Sequence, residues 1–208
     1  MNKLEIKKAT NDYGYEYVGI FIDDIPLDIY LFEITSIEMI KGLMPAWFVE
    51  LDSISEQEYV SECLSVESKD GLTIPILLCP EDMDFWCTVI VVKVRYTDDR
   101  VIWDRVGIVK KDNRDTGCWA NAGIRDFEKW TDDEWKQYGS YFDLFNLSDW
   151  RWDDWISENW RNEEKRRIWN YTHQYFNKDD NIDWFENIPI LAFNKEEYKK
   201  SISQKKDF

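Results

Sequence analysis

Histidine is nearly absent: His173 stands alone in a chain of 208 residues. Nucleophile-plus-base catalysis leans on histidine more than on any other side chain. A triad here would rest on that one residue. Glycine is scarce as well, with eight in all, which leaves little material for a phosphate-cradling loop. No G-x-G-x-x-G, G-x-x-x-x-G-K or H-E-x-x-H pattern occurs. The four cysteines, Cys63, Cys79, Cys87 and Cys118, include no C-x-x-C pair. A zinc site would need three or four of them gathered from distant positions, so no metal ligand and no cofactor is assigned. Long apolar runs are missing too. None approaches the ~20 residues of a membrane span, and MNKLEIKKATND has no apolar signal-peptide core. The expectation is a cytoplasmic, non-catalytic protein with free thiols and no membrane partner.

Acid and tryptophan are abundant. Lys plus Arg number 26 against 42 Asp plus Glu, for a net charge of −16. Such a surface repels nucleic acid and anionic membranes and attracts cationic partners. The 44% apolar content is that of a globular chain, and the length fits one domain with a substantial core. Twelve tryptophans are more than a core of this size ordinarily uses.

Residues 72–109 hold the densest β-branched and apolar content and read as the central strands. Residues 74–79 form a short apolar strand, with Pro75 tolerated near its start or on an edge. Residues 85–97 form a second strand, apolar on both faces until Lys93 and Arg95 bring in alternation. Thr97-Asp98-Asp99-Arg100 reads as a hairpin turn into 101–109. There Val101, Trp103 and Arg105 are placed on one face, with Ile102, Asp104 and Val106 on the other. Cys79 and Cys87 fall within these strands, where cysteine acts as a small buried apolar residue.

Upstream, residues 15–23 suit a first strand, Asp23-Asp24 a turn, and residues 27–40 fit helix and strand about equally. Ser55 and Glu58 have the spacing of a capping box, with Ser55 as N-cap of a helix to about Leu64. Downstream, residues 110–123 read as a connection, and from Arg125 the chain turns helical. Thr131 and Glu134 form a second capping box. A long helix is expected over about 150–176, with Trp152, Ile156, Trp160 and Glu163 on one face, and with Glu163–Arg167 as a solvated i, i+4 pair. Residues 187–193 read as a last strand, Asn194 as the cap of a helix over 195–202, and the final residues as a frayed tail.

The fold class is α+β. It is a single domain with a mostly antiparallel central sheet of about five or six strands and helices packed on it. The chain is sheet-rich over 1–110 and helix-rich over 125–208.

Within 126–160 there are ten acids against three bases, and six tryptophans. Tryptophan ringed by polar groups is a leading binding hot spot, and acids around it steer a basic partner inward. The partner-binding candidates are Asp132, Asp133, Glu134, Asp149, Trp152, Asp153, Asp154 and Trp155. About half of the tryptophans should instead pack the helices, Trp135, Trp160 and Trp169 first among them. Acid pairs beside indoles also suit a carbohydrate-active protein. Neighbours on a helix point about 100° apart, however, so Asp132/Asp133, Asp153/Asp154 and Asp179/Asp180 are not dyads in themselves. A further alternative is an acidic mimic of nucleic acid that occupies DNA-binding proteins.

IFIDDIPL, a short helix, then IPILLCPED, WCTVIVVKV and VIWDRVG, over about residues 17–107, resemble small bacterial immunity proteins of toxin–immunity systems. The resemblance implies a single acidic α+β domain without catalytic residues. It also implies a cognate protein toxin as partner, a basic nuclease being one such toxin, whose active site is blocked. It implies no residue roles, and the tryptophan-rich half lies outside it.

Overall fold

The structure, a computed structural model, describes residues 1–10, 16–48, 51, 54–110, 130–140, 155, 156 and 158–203. The chain is α+β with antiparallel sheets throughout, and its contacts divide it into two compact units. One comprises Met1–Lys111 with Phe176–Phe208, the other Asp112–Tyr175.

The first unit holds two sheets. β1 (Leu4–Thr10), β2 (Glu16–Ile22) and β3 (Ile25–Pro26) form the smaller one. β1 precedes the strand expected to be first. Its Leu4 and Ile6 are buried, but Lys7 and Lys8 interrupt the apolar pattern on which the sequence reading depended. The Asp23-Asp24 turn forms as expected, with both residues at positive φ (51° and 71°) as a two-residue hairpin requires. The Asp23 carboxylate accepts from the Asn2 side chain and the Lys3 N–H, each at 2.7 Å, fixing the turn to the chain start. The ambiguous segment is helical: α1 (Leu27–Thr35) buries Leu27 and Leu31, and a 3-10 turn follows at Glu38–Ile40.

The larger sheet runs β4 (Met44–Pro45), β5 (Leu72–Leu78), β6 (Val89–Tyr96), β7 (Arg100–Val109), with β8 (Ile182–Trp184) and β9 (Leu191–Asn194) both paired to β7. β5 is buried along its whole length. Pro75 lies inside β5, next to a register shift that leaves Ile76 without a partner in β6. The bulge accommodates the missing N–H, and the Pro75 carbonyl accepts from the buried Trp47 indole at 2.7 Å. A second bulge makes Asp104 the extra residue of β7, so that Lys93 faces Arg105 while Val94 faces Trp103. Past it the side-chain phase inverts. Val106 is therefore buried together with Val101 and Trp103, not set on the face opposite to them. Trp47 and Phe193 pack edge-on against Trp103, at 6.0 Å and 5.3 Å between ring centroids, Tyr198 lies tilted against Phe193, and the Trp103 indole donates to the Tyr198 hydroxyl at 3.2 Å.

α2 (Ile54–Ser65) begins before the expected cap. Ser55 and Glu56 lie within the helix and are buried, and the Glu56 carboxylate accepts the Phe85 N–H. The expected box of Ser55 with Glu58 would make Ser55 the cap; instead the helix already includes Ser55, and a long-range contact holds the neighbouring Glu56. At the other end, Asn194 caps the final helix as expected. Its Oδ1 accepts from Glu196 N at 3.0 Å and Glu197 N at 3.1 Å, opening α5 (Lys195–Ser203). Lys195 and Lys199 both pair with Glu67. The last strand is shorter than expected, and β8 had no signal of its own: Ile182-Asp183-Trp184 takes its strand form from pairing with β7.

In the second unit, α3 (Asp132–Tyr138) starts where the sequence places it. The expected helix over 150–176 is interrupted. Among the described residues, 155–156 and 158–159 are helical, Trp160 breaks the run, and α4 (Arg161–Phe176) follows.

Candidate functional site

Thr131 and Glu134 close a reciprocal box at the start of α3. The Thr131 side chain accepts from Glu134 N, and the Glu134 carboxylate accepts from Thr131 N at 2.9 Å. This box sets the direction of every side chain on the helix. It turns Glu134 and Tyr138 inward, while Asp132, Asp133, Trp135 and Lys136 remain exposed.

Inward, Trp130, Tyr138, Ile156 and Trp160 form a buried cluster with Trp155 packed against it. Tyr138 stacks on Trp160 at 4.0 Å, and Trp130 meets Trp160 edge-on at 4.8 Å. The Glu134 carboxylate reaches into this cluster. It accepts the Trp160 indole N–H at 2.7 Å and pairs with Arg166 at 2.7 Å. Burial alone would raise the Glu134 carboxyl, but Arg166, the Thr131 N–H and the Trp160 indole outweigh it and hold it down at about 2. Arg166 also binds Glu163 at 2.9 Å, and Arg167 stands 3.6 Å from the same carboxylate. Burial raises Glu163, against the pull of both arginines. The Glu163–Arg167 pair thus exists, but both side chains are buried and not solvated as expected. Removing charges from water is costly, so such pairs persist only when each is met by a partner.

Outward, Trp135 is 43% exposed and rests on buried Trp130, with ring centroids 4.6 Å apart. Asp133 beside it is almost fully in solvent and pairs with Lys136 at 3.3 Å.

The expected binding residues therefore separate. Asp132 and Asp133 are displayed, Glu134 is spent on an internal ion pair, and Trp155 is half buried under Tyr138 at 5.9 Å. Asp149, Trp152, Asp153 and Asp154 lie outside the described residues. Trp160 is core as expected. Trp169 is partly buried, its ring stacked on His173 at 5.0 Å. Trp135, expected in the core, is the exposed ring, and Trp130, not singled out, is the buried one. Apolar periodicity cannot choose between neighbouring indoles; the inward turn of Glu134 decides it. Counted along the sequence, the second unit holds fourteen acids and nine bases. The negative charge is thus shared between the units in proportion to length, and the local arrangement on α3 matters more than the total.

In the first unit, a cleft of about 610 Å³ lies between β1 and α5, lined by Lys3, Glu5, Lys7, Glu197 and Lys200 among others. Its charges are of both signs and face solvent. The link between β5 and β6 departs from expectation. Cys79 and Cys87 sit just outside the strands, half buried, and with Asp82 form a group whose donor atoms lie within 4.8 Å of one another. The cysteines needed no gathering from distant positions, because the strand pairing brings both ends of one loop together. Among the described residues, no helix is long and apolar enough to cross a membrane.

No family model matches the chain, and no curated protein or solved structure matches it significantly.

Proposed function

We propose that this protein is a non-catalytic, cytoplasmic immunity-type inhibitor that binds a cognate protein toxin through the exposed face of α3. The observation that carries the reading is the pairing of Trp135 with Trp130 beside Asp132 and Asp133. An indole seated on a buried indole is restrained before the partner arrives, so less side-chain entropy is lost on binding. Two exposed carboxylates at its side attract a basic surface and raise the association rate. The buried Glu134–Arg166 pair and the capping box fix the helix that presents them. A basic nuclease is the partner chemistry that this face fits best.

The test is co-expression with the product of the open reading frame immediately upstream of the chain's own. Rescue of growth, with a complex whose dissociation constant rises steeply with salt, is the expected result. A toxic upstream product that the chain neither binds nor neutralises would overturn the reading.

A further inference from the structure

The loop joining β5 to β6 is held from several sides. Cys79 N donates to the Thr88 carbonyl at 3.0 Å, which extends the hairpin ladder one step beyond the strands. Met83, at φ 50°, donates its N–H to the Cys79 carbonyl at 3.1 Å. The Asp84 carboxylate accepts from Trp86 N at 2.9 Å and Cys87 N at 3.0 Å. Phe85 is buried against Tyr59, with ring centroids 5.8 Å apart, and its N–H is held by Glu56 of α2. These ties fix both cysteines and the turn carrying Asp82, so the three donor groups converge without any rearrangement of the backbone.

We infer that Cys79, Asp82 and Cys87 bind a thiophilic divalent cation of the zinc class, with a fourth coordination position left to water. Two thiolates and a carboxylate are a donor set that suits zinc and disfavours magnesium or calcium, which take oxygen ligands. Sulfur–zinc bonds of about 2.3 Å place tetrahedral ligands roughly 3.8 Å apart. Donors already within 4.8 Å of one another reach that spacing by small side-chain rotations. A ligating cysteine must be a thiolate, so an ion displaces thiol protons into solvent and affinity rises with pH.

The test is titration of the reduced full chain with Co²⁺ as a spectroscopic substitute for Zn²⁺. One equivalent should produce a thiolate-to-cobalt charge-transfer band that Zn²⁺ abolishes. The apparent affinity should increase by about tenfold per pH unit for each proton displaced. Cys79→Ser and Cys87→Ser should each lose most of the band. Asp82→Asn, at an exposed position that leaves folding intact, should bind at least about tenfold more weakly. Cys63→Ser and Cys118→Ser, checked for folding by circular dichroism, should keep the band. No thiolate band in the reduced chain would overturn the assignment. So would a band that survives loss of Cys79 and Cys87, or an affinity indifferent to both Asp82→Asn and pH.

Discussion

Trp130 supports Trp135 from beneath, the two rings tilted by 47° and differing in exposure from 6% to 43%. One indole completes a core and the other extends that core to the surface. Stability of α3 and the proposed recognition by it therefore fall to adjacent but separable side chains.

Trp135→Ala tests that separation. Its ring is exposed, so unfolding stability should fall by less than about 1 kcal/mol. Affinity for the proposed toxin partner should fall by about thirtyfold or more, as for a hot spot worth at least ~2 kcal/mol. Calorimetric binding alongside urea denaturation measures both quantities on the same preparation.

Asp132→Lys with Asp133→Lys should act on kinetics. Reversing two exposed charges slows association with a basic partner and flattens its salt dependence, while dissociation changes little. Stopped-flow or surface-based rates at several salt concentrations show which rate constant moves.

Glu134→Ala should be more damaging to the fold, by about 1–3 kcal/mol. It takes one of two carboxylates from the partly buried Arg166 guanidinium, which keeps Glu163, and removes the acceptor of the Trp160 indole. Urea unfolding followed by tryptophan fluorescence gives the value.

The same carboxylate predicts a pH dependence. Glu134 titrates at about 2 in the folded chain and at about 4.3 when unfolded. Its contribution is fully present above the unfolded value and is lost as pH falls toward 2, for a total of about 3 kcal/mol. Glu163 has the opposite sign: burial raises it, so its contribution declines as pH rises through its folded value. Unfolding free energies at pH 6, 4 and 3, in the native chain and in Glu134→Gln, should show a smaller acid loss in the variant.

Gly107→Ala should cost about 1–3 kcal/mol. A Cβ there would stand 2.6 Å from the Asp183 carbonyl oxygen and 3.0 Å from Trp184 Cα, across the pairing of β7 with β8. The Ile182 side chain, at 2.7 Å, could turn aside, but the β8 backbone cannot move without breaking the pairing. The drop in denaturation midpoint, with an unchanged slope, is the measurement.

Which features could be read in advance follows from the range of the forces involved. Thr131 with Glu134, Asn194 ahead of α5, and the Thr97–Arg100 turn were legible because side chain and backbone meet within four residues. Ser55 and Glu58 carried the same local signal, yet the helix starts earlier and takes in Ser55, and the neighbouring Glu56 is held by a distant N–H at Phe85. The Asp104 bulge left no mark, since it arises from register with β6, not from composition. Glu163 looked solvated beside Arg167 because a helix wheel shows neighbours on one helix and not the second carboxylate, Glu134, that shares Arg166. On the candidate site, Asp132 and Asp133 were readable as exposed acids at a helix start. The exchange of Trp135 for Trp130 was not, because it depends on which face of α3 the cap turns inward. The meeting of Cys79 with Cys87 likewise awaited the strand pairing.

Among the described residues, the second edge of β7 is covered by β8 and β9, which follow it in the chain by some seventy residues. At about 5–20 residues per second, a ribosome leaves that edge bare for roughly four to fifteen seconds. During this interval Val101, Trp103 and Val109 border unpaired backbone of the kind that recruits other chains. The nascent protein therefore passes through an aggregation-prone interval in every round of synthesis, and a chain cut short before Ile182 would remain in that condition.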